Sequence, residues 1–267
     1  MDVVYVIGSG SKWDNNELRY SLRSICRYGI GLDHVFIVGD KLPDFINPAR
    51  VTFIKYADKP GGSPARNVYS KIAQIFYQTN LDKFLLSSDD HFFIKETNFE
   101  YGHYPILYKG LAMPMPGEKG IGDKRYSQTM FDTRRFMEAA NLSLKYYEGH
   151  TNKLYTREAW EYLQAFRENS YSLYGKYGSW FLKAMTETQY GISLSSPMAA
   201  IHMRLHPEYP CRYRKDIKLR HLNTPEDWKL LEDANSFSIY DSAIHTGVEE
   251  FLQHFFPVPC IFEKKNS

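Results

Sequence analysis

The chain has 267 residues, enough for one sizeable hydrophobic core or for two small lobes that share a cleft. Its formal net charge is only +2, which argues against a nucleic-acid-binding protein. No apolar run approaches the length that spans a bilayer, and the amino terminus enters a strand without a basic leader. The three cysteines match neither a metal motif nor a disulfide framework, so we expect a protein of the reducing cytoplasm.

The first half of the chain predicts an alternation of strands and helices. Strands are expected at residues 3–7, 34–40, 51–56 and 84–86, and helices at about 17–26 and 65–78. A succession of this kind predicts a mostly parallel sheet flanked by helices. Open α/β sheets bind ligands at the carboxyl ends of their strands, so the residues that follow each strand are the first candidates for a site.

The strand at residues 84–86 runs into a dense group of polar residues: Ser87, Ser88, Asp89, Asp90 and His91. Adjacent carboxylates repel each other when they are buried, and a cation would relieve that cost. Two carboxylates and an imidazole suit Mn²⁺ or Mg²⁺, usually shared with substrate phosphates. The alternative is a solvated turn, because Ser and Asp are ordinary turn residues.

Two other strand ends offer groups that could contact a nucleotide. Gly8 and Ser9 follow the first strand, where a phosphate or a base could approach the backbone closely. Gly39 and Asp40 end the second strand, where a carboxylate could accept a hydrogen bond from a ribose hydroxyl. Both pairs are also typical of simple turns.

Basic residues on the two predicted helices are a further set of candidates. Arg66 and Lys71 lie at the beginning and in the middle of the second helix, where a cation could reach a pyrophosphate. Arg19 and Arg23 lie four residues apart on one face of the first helix. For this second pair we favour solvated surface charge.

The second half of the chain is expected to be more helical. Helices are predicted at about 127–142 and 156–167, and a strand at 191–195. Residues 110–125 are rich in Gly, Pro and Met, which is typical of a loop that closes over a substrate. The basic segment 204–220 is interpreted as a solvated face or as a contact with anionic substrate or lipid headgroups.

Three stretches resemble the Stealth family, the sugar-1-phosphate transferases of capsule synthesis and lysosomal-enzyme tagging. The first is DNNELRYSLRS at residues 14–24, and the second is the strand that ends in Asp89 and Asp90. The third is FFPVPCIFE at residues 255–263, which is similar to the closing motif of the family and is preceded by Tyr240 and Asp241. In this interpretation Arg19, His150 and Asp241 surround the phosphate that is transferred.

The chain also resembles short bacterial glycosyltransferases of O-antigen and capsule clusters, some of which transfer galactofuranose. We give this second resemblance more weight, because an Asp-Asp-His motif with a downstream His suits a metal-bound nucleotide sugar. It implies one α/β domain of the GT-A type over residues 1–267, with a nucleotide-binding half at 1–108 and an acceptor-binding half at 109–267. It also implies a UDP-sugar donor and a glycan or lipid-linked acceptor, with peripheral membrane contact through residues 204–220 as one option.

The GT-A resemblance assigns roles to particular residues. It implies that Gly8, Ser9, Gly39 and Asp40 cradle uridine, and that Arg66, Lys71, Ser88 and Asp89 lie near the phosphates. It implies metal ligands at Asp89, Asp90, His91 and His202. For His202 the alternative is a core histidine on a strand.

A glycosyltransferase that inverts configuration also needs a base at the acceptor hydroxyl. Glu148 is our first choice because it lies beside His150 in a polar patch at residues 146–152. Asp123 and Asp241 are rivals, and a structural hydrogen-bonding role is the alternative for all three carboxylates. The competing hypothesis is that the protein is not an enzyme but a module that binds a nucleotide sugar without catalysing a reaction.

Overall fold

The computed structural model describes residues 1–110, 112–113, 124–149, 151–174, 192–214, 217–219, 229, 231–232, 234–240 and 247–265. The strands, numbered along the chain, are β1 (Val3–Val6), β2 (Gly29–Ile30), β3 (Val35–Gly39), β4 (Thr52–Lys55), β5 (Lys83–Ser87), β6 (His91–Phe93), β7 (Thr97–Asn98), β8 (Ile106–Tyr108), β9 (Lys153–Thr156), β10 (Cys211–Tyr213), β11 (Lys218–Leu219) and β12 (Ser236–Ile239). The helices are α1 (Asn16–Tyr28), α2 (Pro64–Gln78), α3 (Lys124–Ala139), α4 (Arg157–Tyr174), α5 (Ser195–Leu205) and α6 (Val248–Phe255).

A five-stranded sheet in the order β4-β3-β1-β5-β9 forms the centre of the protein. The first four strands are parallel, and β9 pairs antiparallel with β5. Val3, Val4 and Tyr5 of β1 are fully buried, as expected for an inner parallel strand with both faces covered. The prediction of a mixed α/β protein with a mostly parallel sheet flanked by helices is therefore confirmed.

Two helices of the first half form where local sequence signals predict them. Leu18, Leu22 and Ile25 recur at helical spacing in α1, and all three are fully buried. Helix α2 begins with Pro64 after Ser63, whose hydroxyl accepts the backbone N–H of Arg66 at 3.3 Å. This cap and the proline fix where α2 begins.

The order of the strands creates a crevice between β1 and β5. The chain moves outward from β1 to β3 and β4, and α2 then brings it back to β5 on the other side of β1. The connections that leave β1 and β5 therefore run in opposite directions. Ligands of open α/β sheets bind outside the carboxyl ends of the strands at such a switch point.

Smaller sheets extend the fold beyond β5. Strand β6 follows β5 after a short turn and pairs antiparallel with β12, which also pairs with β11. Strands β8 and β10 form a two-stranded parallel sheet, as do β2 and β7. A second apolar cluster, which includes Phe92, Phe237 and Phe251, packs α6 against this region.

One predicted element is wrong, and four described strands of the second half were not predicted. The strand expected at 191–195 does not form in its described part, because residues 192–194 lead directly into α5. Pro197 in the first turn of α5 is a helix-start signal that outweighs the apolar residues before it. The sequence analysis missed the strands β9, β10, β11 and β12. No helix in the described part of the chain is long and apolar enough to span a membrane.

Candidate functional site

A cleft of about 450 Å³ opens at the carboxyl ends of β1 and β5. One wall is formed by Val6 of β1 and by Ser87 and Ser88 at the end of β5. The start of α2, part of α3, Glu148, the β9 segment and residues 193–195 also line it. The cleft thus lies at the switch point of the sheet, and of the predicted site residues that are described, Ser88 and Glu148 line it.

The predicted acidic pair forms the turn that closes this edge of the sheet. The backbone N–H of His91 donates to the Ser88 carbonyl at 3.3 Å, so Asp89 and Asp90 lie at the centre of a tight turn between β5 and β6. The Ser21 hydroxyl donates to the His91 carbonyl at 2.7 Å. This hydrogen bond from helix α1 therefore holds the turn in position.

Negative charge accumulates at this turn. Burial raises the pKa of Asp89 to about 7, and the neighbouring Asp90 and then Glu17 add to this effect. Glu17 is itself buried, and its carboxylate accepts the Ser11 hydroxyl at 3.0 and 3.2 Å. Clustered carboxylates of this kind favour a bound cation, which would lower the pKa of Asp89.

The donor set fits a divalent cation that is shared with a substrate. In the described part of the chain, no group of three or more His, Cys, Asp or Glu side chains could hold a metal ion by itself. Asp89 and Asp90 could supply two carboxylate ligands to such a cation, with phosphate oxygens or water as the others. Mg²⁺ is bound in proteins in this manner.

His91 is not a metal ligand in this fold, which corrects the sequence prediction. Its ring is buried, and its Nδ1–H donates to Asn152 Oδ1 at 3.1 Å. Its Nε2 accepts the Ser236 hydroxyl at 2.7 Å, so both ring nitrogens are occupied. Burial, with a smaller contribution from Arg214, lowers the pKa of His91 to about 3, and the ring is neutral.

His91 instead belongs to a buried polar network that sequence reasoning missed. Ser87 donates to Asn152 Oδ1 at 2.9 Å, and Arg214 Nη2 donates to Ser236 Oγ at 2.6 Å. These hydrogen bonds link the end of β5 to the start of β9 and to β12. These residues are distant in sequence, and no local pattern indicates that they meet.

His202 also lies away from the acidic turn. It is on α5 rather than on a strand, and its ring packs 4.7 Å from His206 and 6.1 Å from Tyr101. Tyr101 lies under the ammonium of Lys83, which begins β5, whereas Asp89 follows its end. The structure therefore separates His202 from the acidic pair and corrects its assignment to the metal site.

The two cations predicted near the phosphates have different environments. Lys71 is buried, and its ammonium donates to the Ile7 carbonyl at 2.7 Å and pairs with Asp58 at 2.5 Å. Lys71 therefore supports the loop after β1 and is not available to a ligand, which corrects that prediction. Arg66 lies in the first turn of α2, and its buried Nε and Nη2 have no hydrogen-bond partner among the described residues.

Of the other residues predicted to contact the nucleotide, some have structural roles and others are accessible to a ligand. The Arg19 guanidinium lies 4.5 Å from the centroid of the Phe45 ring and 3.8 Å from Glu263, so it faces the carboxyl-terminal segment. Gly39 is required by packing, because a Cβ there would lie 2.5 Å from the Ile7 side chain. Gly8, Ser9 and Asp40 are exposed at the ends of β1 and β3, where a ligand could reach them.

Glu148 lines the cleft but has a structural role. Its carboxylate accepts the Ser193 hydroxyl at 2.7 Å, and the Ser196 N–H and hydroxyl at 3.0 and 2.9 Å. These bonds cap the start of α5, where negative charge is favourable. The assignment of Glu148 as the base is corrected accordingly. His150, Asp123 and Asp241 lie outside the described residues, as does most of the predicted loop at 110–125.

Strand β9 supplies cleft residues that were not predicted. Thr151, Lys153 and Tyr155 line the cleft at every second position, with β9 itself running from Lys153 to Thr156. Residues 151–156 (TNKLYT) show no alternation of apolar and polar residues in the sequence, so only the structure reveals that one face of this strand lines the cleft. In the basic segment, Arg214 turns inward to Ser236, so it does not contribute to a charged surface.

No protein-family model and no curated protein sequence matches this chain.

Proposed function

We propose that this protein is a metal-dependent glycosyltransferase of the GT-A type, which transfers a sugar from a UDP-sugar to a glycan or lipid-linked acceptor in bacterial surface-polysaccharide assembly. The observation that carries the proposal is the Asp89–Asp90 turn at the switch point of the sheet, next to the 450 Å³ cleft. A nucleotide diphosphate is the type of ligand that needs both a shared cation and a crevice at this position.

The described residues support a division of roles within the site. Uridine would lie against the exposed turn at Gly8 and Ser9, within reach of the Asp40 carboxylate. The guanidinium of Arg66 has buried donors without hydrogen-bond partners among the residues that the structure describes, and such donors suit diphosphate oxygens. Asp89 and Asp90 would hold Mn²⁺ or Mg²⁺, and the cation would supply neutralisation of the charge that develops on the leaving group.

The acceptor hydroxyl requires a base other than Glu148. Of the carboxylates considered from the sequence, Asp241 is now the first candidate. It follows β12 after one intervening residue, and the N–H of Ile239, the last residue of β12, donates to the Asp90 carbonyl at 3.1 Å. Asp123 stays as the alternative base in this proposal.

Thermal unfolding with added ligands tests the donor site directly. We expect UDP to raise the melting temperature in the presence of Mn²⁺ and to have little effect in excess EDTA, because a ligand that binds only the folded state stabilises it. Mn²⁺ without nucleotide is the matched control. An equal UDP shift in EDTA would contradict the shared-cation site.

A second candidate function is a sugar-1-phosphate transferase of the Stealth type. The observation that favours it is the contact between two of the stretches that resemble that family, because Arg23 of residues 14–24 pairs with Glu263 of residues 255–263 at 2.7 and 2.8 Å. Both enzymes would use the same acidic turn. Incubation with a panel of UDP-sugars and acceptor glycans separates them, since a glycosyltransferase releases UDP and a phosphotransferase releases UMP. Metal-dependent binding without either product would indicate a binding module.

A further inference from the structure

Two of the three cysteines meet where the carboxyl-terminal segment packs on α1. Cys26 lies one helical turn after Arg23, and Cys260 lies three residues before Glu263. Arg23 and Glu263 form a bidentate ion pair with N–O distances of 2.7 and 2.8 Å. The Cys260 N–H donates to the same carboxylate at 2.9 Å, so the turn at residues 260–263 is held directly against α1.

Further hydrogen bonds fix the register of this segment along the helix. Arg23 Nη1 donates to the Phe256 carbonyl at 2.9 Å, and Arg27 Nη1 donates to the Phe255 carbonyl at 2.6 Å. Cys26 lies between these two arginines in the sequence and is solvent-exposed. These contacts hold the segment that carries Cys260 against the helix that carries Cys26, and the two thiols are hydrogen-bonded to each other.

The two thiols have unequal environments. A hydrogen bond with the Cys260 thiol lowers the pKa of Cys26, and the Ile261 backbone adds to the lowering. The same hydrogen bond, together with burial, raises the pKa of Cys260. Cys26 is exposed and Cys260 is only partly exposed, so Cys26 is the thiol that a disulfide in solution reaches first.

We propose that Cys26 and Cys260 are an oxidisable dithiol that forms a disulfide between α1 and the carboxyl-terminal segment by exchange with a low-molecular-weight disulfide such as glutathione disulfide. The Cys26 thiolate attacks one sulfur of glutathione disulfide, which forms a mixed disulfide and releases one glutathione. Cys260 then loses its proton to solvent and attacks the Cys26 sulfur, which releases the second glutathione as a thiolate that takes up a proton. Two protein thiols are oxidised, and one glutathione disulfide is reduced to two glutathione molecules.

Such a bond would close a loop that contains most of the chain, and a disulfide that closes a long loop constrains the unfolded state strongly. The inference does not depend on the proposed transferase function. It concerns how the fold responds to oxidation, and it can be tested without a substrate.

The test begins with the fully reduced protein in an excess of glutathione disulfide without oxygen. We expect the number of titratable thiols to fall from three to one, and peptide mapping to show a Cys26–Cys260 cross-link. The melting temperature should rise by roughly 5 °C or more and return when dithiothreitol is added. Three remaining thiols, or a stable glutathione adduct on Cys26 without the cross-linked peptide, would overturn the proposal.

Two serine variants complete the experiment. The Cys211→Ser variant should still form the cross-link, because Cys211 lies on β10 and takes no part in it. The Cys260→Ser variant should stop at the mixed disulfide on Cys26 and show no rise in melting temperature. A cross-link between Cys26 and Cys211 in the wild-type protein would count against the assigned pair.

Discussion

Arg23 and Glu263, which lie near opposite ends of the sequence, form a buried bidentate ion pair between α1 and the carboxyl-terminal segment. The Arg23 Nε and Nη2 groups donate to the two carboxylate oxygens at 2.7 and 2.8 Å. The Cys260 N–H adds a third hydrogen bond at 2.9 Å. Burial tends to raise the pKa of Glu263, but hydrogen bonds from Arg23 and Cys260 outweigh it, and the pKa lies below its usual value.

Replacement of this carboxylate is predicted to be strongly destabilising. The Glu263→Gln variant leaves the buried Arg23 charge without its counter-ion, so we expect a loss of about 3–5 kcal/mol in the free energy of unfolding. Urea denaturation of the variant and the wild-type protein measures this loss in the free energy of unfolding. The matched control is Glu138→Gln, which breaks the exposed pair with Arg134 at 2.9 Å and should cost less than about 1 kcal/mol. Similar losses in the two variants would contradict the structural role of Glu263.

The acidic turn is predicted to be functional rather than structural. The Asp90→Ala variant should lose Mn²⁺-dependent UDP stabilisation and transferase activity, because one of the two proposed carboxylate ligands is removed. Its melting temperature without ligand should stay close to that of the wild-type protein. Asp44→Ala, which alters an exposed carboxylate paired with Lys41, serves as the control. Undiminished metal-dependent binding in Asp90→Ala would refute the ligand assignment.

Arg66 gives a prediction that separates binding from stability. Its buried Nε and Nη2 have no acceptor in the described part of the chain, so Arg66→Gln should leave the free energy of unfolding unchanged or slightly higher. The same variant should bind UDP at least about tenfold more weakly, since a charge-assisted hydrogen bond to phosphate is lost. Isothermal titration calorimetry measures the affinity. Arg50→Gln, at an exposed position, should bind UDP as the wild-type protein does.

Glu148 can be tested as a helix cap against its earlier assignment as a base. Because Ser193 and Ser196 occupy its carboxylate, Glu148→Gln should mainly lower stability, by about 1 kcal/mol, while the turnover rate changes little. Steady-state kinetics and chemical denaturation of one preparation measure both quantities. A fall in turnover of a hundredfold or more, without loss of stability, would restore the role of general base.

The buried imidazole of His202 predicts sensitivity to acid. Burial, and then the nearby His206, lowers the pKa of His202 to about 4, from 6.5 for an ordinary histidine. The unfolded chain therefore binds an extra proton between pH 6.5 and 4, and stability falls as the pH falls through this window. One such group contributes about 1.4 kcal/mol per pH unit.

The contribution of His202 is isolated by comparison with a variant. His91 acts in the same direction and Asp89 in the opposite one, so the quantity to measure is the difference between the wild-type protein and His202→Phe. We expect the variant to lose less stability between pH 6.5 and 4. His254→Gln, which alters an exposed histidine, should follow the wild-type profile. Identical profiles for wild type and His202→Phe would show that His202 is not the group involved.

The four parallel strands of the central sheet and the two helices of the first half were predictable because their signals are local. The apolar run of β1, the helical spacing of Leu18 and Leu22, and the Ser63 cap each act within a few residues. Their parallel arrangement then places the turns after β1 and β5 together. For this reason the position of the candidate site at the sheet edge also followed from the sequence.

The roles of individual side chains could not be predicted in the same way. An imidazole next to two carboxylates suggests a metal ligand. However, both ring nitrogens of His91 are hydrogen-bonded, one to Asn152 at the start of β9 and the other to Ser236 of β12. Likewise, Glu148 caps the amino-terminal end of α5 because that helix begins next to its carboxylate. Whether a polar group is free for chemistry depends on its partners, and those partners are distant in the sequence.

The sequence by itself determined the alternation of elements, the mostly parallel sheet and the acidic turn at its edge, since all three arise from short-range patterns of apolar and polar residues. Only the tertiary structure decided which polar groups remain accessible at that edge, and that Arg23 meets Glu263 while Cys26 meets Cys260. The physical reason is that burial and pairing depend on contacts between segments far apart in the chain, which no local pattern specifies.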